Sequence, residues 1–124
     1  KRLVRVLIMG YTNYWHQYND FTDEEWKSIL QEYDYIKEVC KNIIVDETTK
    51  TNEIVFNGVG ENSHETFVLN KDAKPYNTPK TYEGEDLSFN FCKTRMQPYD
   101  IAVWYLLTQI NRICPSFSIS RDYP

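Results

Sequence analysis

Glycine occurs only four times in this 124-residue chain and histidine only twice, and each scarcity closes off chemistry. His16 and His64 stand far apart, with no HExxH spacing and no Cys/His cluster, so no ligand set for a dedicated zinc site is present. No GxGxxG follows a strand pattern, and neither GxxxxGK[ST] nor GxSxG occurs, which removes the dinucleotide, P-loop and nucleophile-elbow signatures. GVGENS at 58–63 is no phosphate loop, because it lacks the lysine and precedes a strand pattern rather than a helix. No apolar run approaches the ~18 residues of a membrane span, and no signal-peptide pattern opens the chain. Positive charge is also short: 14 Lys and Arg against 18 Asp and Glu leave a net charge of -4, which argues against binding along a nucleic-acid backbone. Three cysteines, Cys40, Cys92 and Cys114, form no CxxC pair and each follows an apolar residue. They read as small buried thiols in a reducing compartment. The expectation is a cytoplasmic protein of a host cell, with no metal, no cofactor and no membrane contact, and nothing in the sequence excludes a homo-oligomer.

What the chain has in quantity is aromatic residues, 15% of the total and chiefly ten tyrosines. Tyrosine supplies packing area plus a hydroxyl, which suits a half-wet core or a binding face. At 14.8 kDa, with 41% apolar and 26% charged residues, residues 1–124 are sufficient for one domain with one core.

KRLVRVLIMG at 1–10 alternates Val4, Val6 and Ile8 and predicts a strand, and the aperiodic YTNYWHQYND at 11–20 predicts a surface loop. Thr22 with Glu25 forms a capping box, and Phe21 with Trp26 occupies the two positions of a hydrophobic staple, so a helix starts here. Trp26, Ile29, Leu30, Tyr33, Ile36, Val39 and Cys40 then recur at helical spacing on one side. Strands are predicted at 43–46, 53–57, 65–69, 87–92 and 116–120, the fourth alternating Leu87, Phe89 and Phe91 on one face. The stretch 70–86, with Pro75, Pro79 and Gly84 and no apolar period, predicts a flap. Pro98 opens a largely apolar helix that Pro115 closes. The result is an α+β fold: an antiparallel sheet of five to six strands with two packed helices.

The candidate site is the strand-to-helix junction CKTRMQ. Lys93, Thr94 and Arg95 beside the helix start at Tyr99 and Asp100 bring cations and backbone amides to one corner, the elements of an anion site. Solvated turn residues are the plainer reading of the same cations. Glu65 and His64 neighbour each other in the HETF strand and so point to opposite faces, Glu65 needing Lys93 or Arg95 as its partner. Arg121, after the last strand, is placed to approach the same helix start. Cys92 beside His64 is a weak thiol nucleophile, since apolar surroundings raise a thiol pKa.

FNGVGENSHETFVL, FNFCKTRMQPYDIAVWYLL and FSISRDY together resemble a pattern in small proteins of tailed bacteriophages and large DNA viruses. The matching parts cover 53–69 and 87–122. The resemblance implies a viral accessory protein and carries no activity with it. The leading expectation is non-enzymatic capture of a small anionic, nucleotide-like ligand such as a signal of host defence, held by Lys93, Thr94, Arg95, Tyr99, Asp100 and Arg121, with Glu65 and His64 nearby. The alternatives are an inhibitor that blocks a host enzyme through its acidic, Tyr-rich surface, and a small hydrolase.

Overall fold

The computed structural model describes residues 11–73 and 86–122. Among these residues two α-helices, one short 3-10 helix at Gly60–Asn62 and six strands confirm the α+β class, and every strand pair is antiparallel. The strands are β1 (Thr12–His16), β2 (Ile44–Asp46), β3 (Glu53–Gly58), β4 (Phe67–Asn70), β5 (Phe89–Lys93) and β6 (Ser118–Arg121); the helices are α1 (Asp23–Val39) and α2 (Asp100–Ile113). Instead of one curved sheet they make two, ordered β5-β1-β6 and β2-β3-β4. The predicted strand at 1–10 lies outside the described residues, as does 74–85 of the predicted flap.

The segment read as a loop, 11–20, contains the central strand of the first sheet. Thr12, Tyr14 and His16 alternate with Asn13 and Trp15, so strand formers are present. The inward positions are Trp15 and a polar Asn13, both buried, and the asparagine breaks the apolar period that a sequence reading needs. β1 is flanked on both sides, by β5 (Tyr14 opposite Phe91) and by β6 (Tyr14 opposite Ser120).

α1 begins as its local signals require. Thr22 Oγ1 accepts from Glu25 N–H at 3.0 Å, the Glu25 carboxylate accepts from Thr22 N–H at 2.9 Å, and the Phe21 and Trp26 rings stack at 6.0 Å. Trp26, Ile29, Tyr33 and Ile36 are buried, while Val39 at the end of the stripe is exposed. The core lies between the inner faces of both sheets and the two helices. Trp15 of the first sheet meets Phe67 of the second at 5.2 Å, Phe67 meets Phe56 at 5.0 Å, and Phe56 meets Tyr33 of α1 at 5.6 Å. Burying such rings removes 150–250 Å² each from water, about 25 cal/mol per Å², which makes this chain the main attachment between the layers.

In β5 the alternation Phe89, Phe91 faces solvent, and Cys92 faces the core. Phe89 and Phe91 lie in a stripe with Tyr14, His16 and Tyr18, ring centroids 5.4–6.0 Å apart.

Candidate functional site

Strand alternation decides where the cations go. Lys93 shares the outer parity of Phe89 and Phe91, and its Nζ sits 5.8 Å over the Phe91 ring. Thr94, next in sequence, turns inward and is fully buried. Arg121 has the inner parity of Asn13, its cross-strand partner, and stands on the helix side of the sheet. Lys93 and Arg121 are therefore on opposite faces, and the two cations do not converge.

Arg95 belongs to a tight turn. Arg95 and Met96 both have positive φ (55° and 59°), and Gln97 N–H donates to the Thr94 carbonyl at 3.0 Å, the signature of a type I′ turn built without glycine or asparagine. The Arg95 side chain is exposed and forms no ion pair among the described residues. The backbone donors of the junction are engaged as well: Thr94 and Arg95 N–H donate to the Tyr11 carbonyl, and the amides of residues 100–103 donate to Gln97, Pro98 and Tyr99 carbonyls. Among the described residues only the amides of Met96 and Tyr99 lack an acceptor here, so no fan of free amides remains at the start of α2.

Tyr99 is fully buried and its hydroxyl donates to the Glu65 carbonyl at 2.5 Å, so its ring offers no stacking face. Glu65 lies just before β4. Its carboxylate accepts from the Lys93 backbone N–H at 2.8 Å, and its own N–H donates to the Lys93 carbonyl at 3.1 Å. The predicted pairing of Glu65 with a side-chain cation is thus replaced by a main-chain clamp on the edge of β5. His64 is exposed and held through its backbone by Asn57, at 3.0 and 3.1 Å.

What the fold does bring together is Asp100, Thr94, Arg121 and two residues the sequence reading passed over, Asn13 and Trp104. The Asp100 carboxylate accepts from Asn13 Nδ2 at 2.7 Å, Thr94 Oγ1 at 2.6 Å and Arg121 Nη2 at 2.6 Å. The Arg121 guanidinium lies 4.4 Å from the centre of the Trp104 ring and 5.0 Å from that of Tyr11, an arrangement in which a cation gains from both ring faces. With side chains 19% and 15% exposed, Arg121 and Asp100 form a largely sheltered pair. Trp104 was legible as the residue one turn beyond Asp100. Only the β1–β6 pairing places Arg121 against it.

Asp100 and Arg121 form one end of an open groove of about 510 Å³ between α2 and β6, continued by Ile101, Trp104, Tyr105 and Thr108. These α2 positions follow i, i+4, i+8 and i, i+4 spacing and so present one helix face. Ile101 is 65% exposed, with Trp104 and Tyr105 half-buried beside it. The polar groups here are committed: Thr108 Oγ1 donates to the Tyr105 carbonyl at 2.7 Å and the Tyr105 hydroxyl to Glu32 at 3.1 Å.

Of the ionisable side chains lining the groove, Asp100 and Arg121 are bonded to each other and Tyr105 to Glu32. Burial, with the Glu65 charge adding to it, pushes the Cys92 thiol up to about 12, so the thiolate is negligible at neutral pH. All three cysteines are unpaired. Among the described residues no three His, Cys, Asp or Glu side chains are grouped to hold a metal ion, and no helix is long and apolar enough to cross a membrane. No family model, curated protein or solved structure matches this chain, and the resemblance noted in the sequence adds nothing to the argument from geometry.

Proposed function

We propose that this protein is a non-catalytic binding module that holds part of a partner protein in the groove between α2 and β6. One observation carries the reading. Arg121 and Asp100 are already paired, Asp100 accepting from three donors, and the groups left without a partner, Arg121 Nε and Asn13 Oδ1, are themselves buried, while Ile101 and Trp104 present apolar surface beside them. A guest gains by covering Ile101 and Trp104, at about 25 cal/mol per Å², and gains little by bringing a charge. An anionic nucleotide, the guest expected from the sequence, would have to displace Asp100 from Arg121 or leave a carboxylate beside its phosphates. Aromatic and apolar anchors surrounded by polar groups are the usual make-up of a protein-binding centre.

The test is amide chemical-shift mapping of the ¹⁵N-labelled protein with a pool of random octapeptides and, separately, with a panel of nucleoside mono-, di- and triphosphates. Peptides are expected to move the amides of residues 100–108 and 118–121. If nucleotides move those amides and peptides do not, the guest is a small anion and the present reading is overturned.

A further inference from the structure

Resting on that reading, the structure assigns the form of the guest: we propose that the groove takes an extended peptide segment that joins the first sheet as a fourth strand, paired to the free edge of β6.

The registers fix which backbone groups are available. Asp122 N–H donates to the Thr12 carbonyl at 3.0 Å, and Tyr14 lies opposite Ser120 and His16 opposite Ser118. In an antiparallel pair, residues two apart repeat the same role, so Ser118 and Ser120 direct their N–H and C=O groups towards β1. Ile119 and Arg121 direct theirs away from it. Among the described residues those four groups have no hydrogen-bond partner and β6 has no strand on that side. Unpaired edge groups are a template for another strand.

Of the three other edges among the described residues, β2 is only three residues long, and β5 and β4 are partly taken up. On β5, Glu65 occupies both main-chain groups of Lys93; on β4, the Gln17 amide takes the Asn70 carbonyl at 3.0 Å. Among the described residues, β6 is the edge whose open groups lie next to the groove that Arg121 lines. The dimensions also agree: four β6 residues span about 13 Å, and the α2 face from Asp100 to Thr108 spans about 12 Å. A segment of about four to six residues laid along β6 would turn alternate side chains onto Ile101 and Trp104, so the guest should carry apolar residues at every second position.

Random decapeptides displayed on phage and panned on the full chain provide the probe, and selected sequences are made with single backbone N-methyl groups scanned along them. The expected result is alternation: N-methylation at every second residue weakens binding about tenfold, and at the residues between hardly at all. Ile119→Pro removes an outward N–H that β1 does not use and should weaken binding similarly, while the N-methyl scan stays decisive if that variant folds poorly. Peptides that lose affinity for Ile101→Asp yet tolerate N-methylation everywhere would leave the groove reading standing and overturn strand addition. Failure to select any peptide sensitive to Ile101→Asp would overturn both. A dimer in sedimentation that Ile119→Pro dissociates would give the edge to a second copy of this chain and overturn the peptide guest.

Discussion

At the scale of single residues, Asp100 is the side chain on which most else rests. Its carboxylate accepts from three donors, on β1, on β6 and in the turn after β5, so its removal strands a sheltered guanidinium together with the Asn13 and Thr94 groups. Asp100→Ala should cost about 3 kcal/mol in urea unfolding, the low end for breaking a buried pair because Arg121 keeps some exposure. Thr94→Val should cost about 1 kcal/mol. Equal losses in the two variants would mean that Asp100 does not organise the cluster. Two glycines make a second contrast. A Cβ at Gly58 would stand 2.2 Å from the Asn62 carbonyl oxygen and 2.9 Å from the Tyr99 ring, whereas one at Gly60 meets nothing within 4 Å and pays only for φ of +54°. Gly58→Ala should destabilise by about 3 kcal/mol and Gly60→Ala by about 1 kcal/mol, read as shifts in denaturation midpoint.

At the scale of elements, what can be read locally and what cannot separate clearly. The start of α1 was legible because a capping box and a staple involve only residues 21–26, and both form. β1 was not legible, because the inward Asn13 is explained only by Asp100, 87 positions away. The β5–α2 junction is instructive in another way. Lys93 and Arg95 looked like a cationic pair by sequence distance, but strand alternation and a type I′ turn send them to different places. Arg95 and Met96 hold left-handed conformations that cost ordinary residues roughly 1 kcal/mol each. Replacing them with Asn-Gly, the pair that suits such a turn, should raise stability by about 1 kcal/mol and leave groove binding unchanged. A loss of stability would mean that Arg95 makes an attraction the turn geometry does not reveal.

At the scale of the whole molecule, the α+β class and five of the six described strands were legible from periodicity, while the division into two sheets and the groove were not. Both depend on β1 passing between β5 and β6, and no local pattern encodes that. The buried hydroxyls and thiol give the fold an alkaline limit. Burial, supplemented by hydrogen bonding to Asp46, raises the pKa of Tyr33; burial raises that of Tyr99; and the Cys92 thiol is pushed up to about 12. Each folded pKa lies above its unfolded value, so the associated stability is complete below about pH 8.5 for the thiol and about pH 10 for the phenols. It declines as pH rises through the folded values. Unfolding free energy should therefore fall steeply above pH 10, and Cys92 should resist alkylation at pH 8 until denaturant is added.

The account turns on the outward main-chain groups of β6 being free. Amide hydrogen exchange in the unliganded protein tests this directly, since protection follows pairing. Ser118 and Ser120, bonded to β1, should exchange slowly, and Ile119 and Arg121, facing the groove side, should exchange nearly as fast as an open chain. Strong protection at all four positions would mean that the edge is already occupied, and no strand could be added there.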